Sequence, residues 1–261
     1  MVKITAELEV AGFGTAGPAT PTPGYDTLLR ICGHSRTIVA TVPGPPVVPG
    51  RVDYRPISTG FDAATIYFYQ DGTLHRAVCC RGEMSMELNL DQIPVYKFEI
   101  MGLYAGVPTD TAMVTPTLTA YQTPVAVGAA NTTLAKFLGA NATGIALQSL
   151  SVKLGNNLVY RDLVNTDELV RLVNRQTTGS FTIEAPMLAE RDVYSLVLNN
   201  TLTSIDITHG TVVGNRVRFV SDFVQVVNPK FSESDEIVML SGDLRFVPST
   251  AGNDEYTLTV Q

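Results

Sequence analysis

"QDGTLHRAVCCRGEMSM", Gln70 to Met86, is the stretch on which the fold of this chain turns. It gathers one of three His and two of three Cys within six residues, beside a Gly-led turn. Read as chemistry, it is a metal or redox site. Read as backbone, it is a hairpin and a long strand, and the spacing favours backbone. Asp71–Gly72 is a hairpin turn signal. In a strand, Cys79 and Cys80 point to opposite faces and cannot share a tetrahedral ion; His75 lies about 13 Å along the strand from Cys79. Metal spacings of the C-x2-C or H-x3-H kind are absent. The thiols read as small buried hydrophobes. Beyond a turn or bulge at Arg81–Gly82, Met84, Met86 and Leu88 fall on one face and Glu83, Ser85 and Glu87 on the other.

The same period of two recurs on both sides. Ile4, Ala6, Leu8 and Val10 share one face of a strand, with Thr5, Glu7 and Glu9 on the other. "YDTLLRICG" has a short helical pattern stopped by Gly33. "PGPPVVPG", Pro43 to Gly50, excludes helix and central strand and reads as a stiff surface loop. Strands are expected over Arg51–Pro56, Ala64–Tyr69, Leu74–Leu90 and Val95–Tyr104. A second series follows: Ser149–Leu154, Ser180–Ala185, Thr203–Thr208, Arg216–Val227 and Glu236–Val247. Between the last three and the first two, "PMLAERDVYSLVLNN" reads as a helix opened by Pro186 and closed by Asn199–Asn200.

The block from Thr65 to Thr109 can be laid over the block from Ser204 to Thr250, each a short strand, a Gly turn, a long strand, an acidic or Pro-containing turn, and a strand ending in V-P-[ST]. This reads as a duplication. The expected organisation is repeat 1 over residues 1–115, a charge-poor linker or arm over 116–146, and repeat 2 over 147–261. From Thr111 to Val152 the only charged residue is Lys136. Such a stretch packs against something more readily than it hangs in solvent.

Composition narrows the function. The chain has 261 residues, 45% hydrophobic and 16% charged, enough for a sizeable core. Thr, Val, Gly and Pro fill the gap left by charge, which favours strands and turns. A net charge of −7 and no run of Lys or Arg exclude a nucleic-acid-gripping footprint. "MVKITAELEV" has no apolar core of a signal peptide. No apolar run reaches a membrane span. Three Cys, two of them adjacent, argue against a secreted disulfide framework.

The remaining chemical motifs read as decoys. "GFGTAG", Gly12 to Gly17, matches G-x-G-x-x-G, but Pro18, Pro21 and Pro23 block the helix that a dinucleotide site needs. "CGH", Cys32 to His34, puts a thiol and an imidazole together at a helix stop, where catalytic pairs are not usually built. Glu7/Glu9 and Glu83/Glu87 are pairs on polar strand faces rather than in an apolar pocket. No catalytic, cofactor-binding or metal-binding residue is assigned, and the chain is read as a non-enzyme without cofactors.

A resemblance adds to this reading. The order "PTPGYDTLLRICGH", "VDYRPIS", "ATIYFYQDGTLHRAVCCRGEMSMEL" and "IPVYKFEIMGLY" resembles the tail tube proteins of long-tailed bacteriophages. In that family a helix ending in Gly precedes a Y-x-P-x-S segment, then a T-I-x-x-Y-x-D-G-x-x-H strand–turn, then a P-x-x-x-F-x-x-x-G-x-Y strand. Cys80 stands where Gly is expected, with Gly82 kept. The likeness covers about 20–110 well and 147–190 more loosely. These motifs are architectural rather than catalytic.

The resemblance implies an all-β fold with short flanking helices: a tail-tube-type β-sandwich or barrel, here duplicated, oligomerising into a ring with a continuous inner β-barrel. It implies a structural virion protein whose stacked rings form the hollow tube that genomic DNA crosses during ejection. The partner is the chain itself, as a trimer with pseudo-sixfold symmetry or a hexamer. Tape measure, tail terminator and baseplate or tail-tip proteins would join it, and double-stranded DNA would pass without being bound. The site is the virion tail, assembled in the host bacterial cytoplasm, with no membrane partner. The alternative is an all-β receptor-binding or baseplate module. The candidate lumen-facing acids are Glu7, Glu9, Glu83, Glu87 and Glu184. The candidate inter-subunit loop residues are Pro43, Pro46, Pro49, Tyr121, Lys136 and Phe137.

Overall fold

The structure is a computed structural model of the chain that describes residues 1–14, 22–42, 44, 49–139 and 141–261. In the first half lie β1 (Val2–Glu9), α1 (Asp26–Ile31), β2 (His34–Val39), β3 (Arg51–Pro56), β4 (Ala64–Gln70), β5 (Thr73–Asn89), β6 (Val95–Tyr104) and β7 (Thr109–Asp110). The second half holds β8 (Thr132–Phe137), β9 (Leu147–Lys153), β10 (Asn156–Arg161), β11 (Leu169–Arg175), β12 (Thr178–Glu184), α2 (Val193–Leu198), β13 (Thr203–His209), β14 (Val217–Ser234), β15 (Ile237–Phe246) and β16 (Thr257–Val260).

Fourteen strands form one sheet, ordered β1-β6-β5-β9-β12-β15-β14-β16-β3-β2, with β4 and β7 on β5, β13 on β14 and β8 on β13. The hairpin β10–β11 stands apart. Buried residues from both ends of that order share one core: Met84, Met86, Tyr96 and Phe98 with Tyr54, Phe219, Leu258 and Val260. The sheet therefore folds back on itself as a sandwich, with α1 between β5 and β2. The expected all-β architecture with two short helices is what the chain adopts.

Alternation explains the inner strands. Along β1, side chains alternate between half-buried and exposed, with Ile4, Ala6 and Leu8 turned inward. Along β6, Tyr96, Phe98 and Ile100 are buried, and Glu99 faces out. The Asp71–Gly72 signal is a real hairpin turn. Both residues have positive φ, 44° and 81°, as a two-residue hairpin requires.

The two halves share a wiring pattern. In each, a strand preceding a helix (β1, β12) pairs with the second strand of a hairpin (β6, β15). The first strand of that hairpin (β5, β14) is the longest in its half, and it carries a bulge. Each bulge begins at a non-Gly residue with positive φ, Cys79 at 53° and Asn228 at 52°. Each long strand also holds an outer partner, β4 or β13. The halves are nevertheless joined: β9 bridges β5 to β12, and β16 bridges β14 to β3.

Several expectations change. The bulge in β5 lies at Cys79–Cys80, between pairs Val78–Leu103 and Arg81–Met101, not at Arg81–Gly82. β14 does not stop at Val227. Its bulge takes Pro229 out of the ladder, so the strand continues to Ser234. The helix expected from Pro186 starts only at Val193. Met187 to Arg191 form a turn instead, and the Asp192 carboxylate caps the helix by accepting from the Ser195 amide at 2.9 Å. Within the segment expected to be a linker, Thr132–Phe137 is a strand, β8, paired with β13. Lys136 and Phe137 are therefore strand residues rather than loop residues. Phe137 is fully buried, edge-on to Phe181 with ring centroids 5.7 Å apart. A short, charge-poor Thr/Ala run hides a strand of this kind because its single apolar face needs β13 beside it.

Candidate assembly surfaces

Seven strands, β1-β6-β5-β9-β12-β15-β14, present one continuous polar face. Cross-strand registers align its side chains in rows. One row reads Glu7, Lys97, Ser85, Lys153, Thr178, Arg245 and Gln225. The row beside it reads Glu9, Val95, Glu87, Ser151, Ser180, Asp243 and Val227. Glu184 lies on the same face at the end of β12, opposite Met239. Glu7, Glu9, Glu87 and Glu184, far apart in sequence, thus share one surface. The face is not purely acidic. Lysines interleave with the carboxylates, and the Lys97 ammonium donates to Glu87 at 2.7 Å.

Both outer edges of this face lack a neighbour among the described residues. β1 pairs only with β6. Beyond its bulge, Lys230–Ser234 of β14 pairs only with β15. Six successive pairings separate these strands, all antiparallel, so β1 and β14 run in the same direction.

Glu83 has a different place from the other acids. Alternation puts it on the polar face, but the chain leaving β9 crosses over it and buries it. Its carboxylate accepts from the Gly155 amide at 2.7 Å and from the Asn156 amide. The Asn156 side chain in turn donates to the carbonyls of Cys32 and Gly82, at 2.7 and 3.0 Å. Glu83 therefore anchors the base of the β10–β11 hairpin and is not an open surface residue. Burial raises its pKa to about 7, against the pull of the two amides and Lys153 and with a further push from Glu99.

The opening stretch turns out to be structural. The Cys80 thiol fills the space beside Gly102, where an added Cβ would lie 2.5 Å from its Sγ. The Cys32 thiol occupies the corresponding slot at Gly82, 2.7 Å from an added Cβ. Burial raises both thiols above their usual range. Cys79 is exposed on the bulge. His75 is half-exposed between Phe68 and Tyr104, its Nδ1 3.3 Å from the Tyr104 hydroxyl. Among the described residues, no three His, Cys, Asp or Glu side chains are grouped to hold a metal ion.

"CGH" resolves in the same way. His34 is buried, with Nδ1 donating to the Leu29 carbonyl at 2.8 Å and Nε2 accepting from the Tyr256 hydroxyl at 2.6 Å. Burial lowers its pKa to about 4. It is a neutral strut with both nitrogens used. In "GFGTAG", the described Gly12 packs on the backbone of Gly214, and its amide donates to the Asn215 side chain at 2.7 Å. Thr15, Ala16 and Gly17 lie outside the described residues.

Comparison with protein families gives the decisive match. A family model described as phage tail tube protein matches residues 2–251. The chain belongs to the phage tail tube family. No curated protein matches it. A tail tube protein is a structural component of the virion tail, not known as an enzyme, and the family implies self-assembly into a tube together with other tail proteins. Among the described residues, no helix of this tube protein is long and apolar enough to cross a membrane.

The loop candidates of the tube protein fall in mixed places. Pro43 and Pro46 lie outside the described residues, and Pro49 is half-buried at the foot of β3. Tyr121 covers Gly24 and donates its hydroxyl to the Gly24 carbonyl at 3.3 Å. Lys136 reaches Asp222 at 3.8 Å.

Glu83 and His34 give the tube protein a pH dependence with two opposing parts. Glu83 binds its proton more tightly when folded, so its contribution is full below its unfolded pKa and is lost as pH rises through about 7. His34 binds its proton less tightly when folded, so its contribution is present above 6.5 and is lost as pH falls through about 4. Glu83→Gln removes the first part. Wild type should gain about 2 kcal/mol of stability relative to this variant on going from pH 7 to pH 5. Urea unfolding of both proteins at the two pH values measures it; a gap that stays constant would show that Glu83 does not titrate in this range.

Proposed function

We propose that copies of this chain close side by side into a ring, that rings stack into the hollow tail tube, and that the polar seven-strand face lines the lumen crossed by double-stranded DNA during ejection. The observation that carries this reading is a continuous polar face ending in two unpaired strand edges. Unpaired edges invite pairing with another chain. Here one edge lies at each end of the face, so joining them is head-to-tail and closes by rotation. Because β1 and β14 run the same way, a direct seam is a parallel one.

The lumen acids in this reading are Glu7, Glu9, Glu87 and Glu184, without the buried Glu83. Phosphates spaced about one charge per 1.7 Å of duplex are repelled by these carboxylates. The lysine on the face beside Glu87 is already paired and is less available to grip the backbone. On this face the carboxylates of Glu7, Glu9, Glu87, Glu184 and Asp243 outnumber the bases Lys97, Lys153 and Arg245, so the wall lets DNA slide rather than stick. The shared wiring of the halves supports a duplication, repeat 1 over 1–115 and repeat 2 over 147–261. Three such chains would make a ring with pseudo-sixfold symmetry. Tape measure, tail terminator and tail-tip proteins would complete the tail, assembled in the host cytoplasm.

Electron microscopy of the purified protein under crowded conditions tests this reading. Rings and tubes of one diameter are expected, with threefold averages showing six similar lobes. A protein that stays monomeric even beside its tail partners contradicts assembly. A tube whose averaged density turns Glu7 and Glu87 outward contradicts the lumen assignment.

A further inference from the structure

The chain contains a worked example of how one of its hairpins is covered. At the foot of repeat 1, the turn between β5 and β6 is held by residues 120–127. The Asp91 amide donates to the Val127 carbonyl at 2.9 Å, and the Val127 amide donates to the Gln92 carbonyl at 2.8 Å. Val127 is 6% exposed. This strap is anchored further along, because the Asn215 side chain donates to the Thr123 carbonyl at 2.9 Å and His209 Nε2 lies 3.1 Å from the Val125 carbonyl. It brings apolar cover to a hairpin that would otherwise end in solvent.

The matching place in repeat 2 is bare. The foot of the β14–β15 hairpin carries Phe231, 59% exposed, and Val238, 54% exposed. Beside them α2 presents Leu198, 81% exposed, and Tyr194, whose ring lies 5.9 Å from that of Phe231. No strap crosses this face among the described residues. An apolar patch of this kind next to an unpaired strand edge marks an interaction surface.

The chain also holds a strap with nothing to cover. Residues 111–118 form neither helix nor strand, are exposed throughout and carry no charge. Met113 and Leu118 are 66% and 64% exposed. Beyond the Thr111 amide bond to Gly72, residues 112–117 make no backbone–backbone hydrogen bond among the described residues. The segment spans at most roughly 25 Å, a reach suited to crossing a seam between neighbouring copies. Without charged side chains, the segment is spared the cost of burying an ion when it lies on an apolar face.

We propose that the 111–118 segment of one copy lies over the Phe231–Tyr194–Leu198 face of the next, as residues 120–127 do over the foot of repeat 1. The proposal rests on the tube reading and names the contact that locks neighbouring copies. It makes each copy both donor and acceptor of a strap, so the lock repeats at every seam of the ring.

Two variants and one cross-link test it. Met113→Glu and Leu198→Glu each change an exposed residue, so thermal unfolding of the monomer should be unchanged while the sedimentable tube fraction falls at least tenfold. The paired variant Met113→Cys with Leu198→Cys, in a Cys79→Ser background, should give a ladder of disulfide-linked oligomers when assembled material is oxidised. Mixing the two single-Cys chains should give only linked dimers. Wild-type tubes accompanied by undiminished tubes from both Glu variants overturn the proposal and leave the tube reading standing. A cross-link confined to single chains overturns the second copy as occupant. A wild type that never forms rings overturns the tube reading and this proposal with it.

Discussion

Phe137→Ala should destabilise the isolated chain by about 3–5 kcal/mol, the usual cost of emptying a buried aromatic site. Phe137 ends β8, is fully buried, and meets Phe181 edge-on across the core of the second half. Its neighbour Leu138 is equally buried, so the site has little freedom to collapse. Among the described residues β8 is held on one side, by β13, and Phe137 pairs there with Ile205. Losing the ring therefore loosens a strand as well as opening a cavity. Urea unfolding of unassembled protein reads the effect directly. A variant that unfolds like wild type but cannot form tubes would instead make Phe137 an interface residue.

Arg175→Ala should cost a similar amount, about 3–5 kcal/mol, because it leaves a buried carboxylate without its partner. Arg175 Nη2 donates to Glu255 Oε1 at 2.6 Å, and Nε donates to the same oxygen at 3.2 Å. Side-chain exposures of 12% and 9% put the pair largely out of water. The same guanidinium donates to the Ile57 carbonyl and to Asn253. One side chain thus ties the β10–β11 hairpin to the loop after β3 and to the segment before β16. The double variant Arg175→Ala with Glu255→Ala should recover part of the loss, since no unpaired charge then remains. Unfolding midpoints of the two singles and the double give the coupling. Strict additivity would mean that the pair acts as two independent polar groups.

How far the fold was legible can be judged residue by residue. β3 and β6 were readable to their end residues, and β1 nearly so, because each alternates cleanly and is bounded by turn residues. The helix stop at Gly33 was readable because its φ of 82° suits a residue without Cβ. β10, β11 and β16 were not. They are short, and their apolar positions mean little until the sheet that receives them exists. The shift of the bulge to Cys79 was equally hidden, since it follows from the register of β5 against β6 rather than from any local signal.

The candidate surface was legible in kind but not in membership. Parity along a strand shows which residues share a face, and it grouped Glu7 with Glu9 and Glu83 with Glu87. It does not show what lies over that face. Glu83 is covered because the chain turns at Gly155 and Asn156 on leaving β9, more than 70 residues away. Nor does parity show which bases join the carboxylates, because Lys97, Lys153 and Arg245 enter the face from three different strands. Phe137 was misplaced because composition alone made its segment look like an arm.

By itself, then, the sequence determined an all-β chain, its turns, its polar-face parity and the absence of any recognisable catalytic motif, because these are local properties of spacing and backbone chemistry. The tertiary structure decided which carboxylates remain open, which histidine and thiols are sealed, and which strand edges and apolar faces are left without partners. Those depend on contacts between residues far apart in the chain, and no local pattern carries that information.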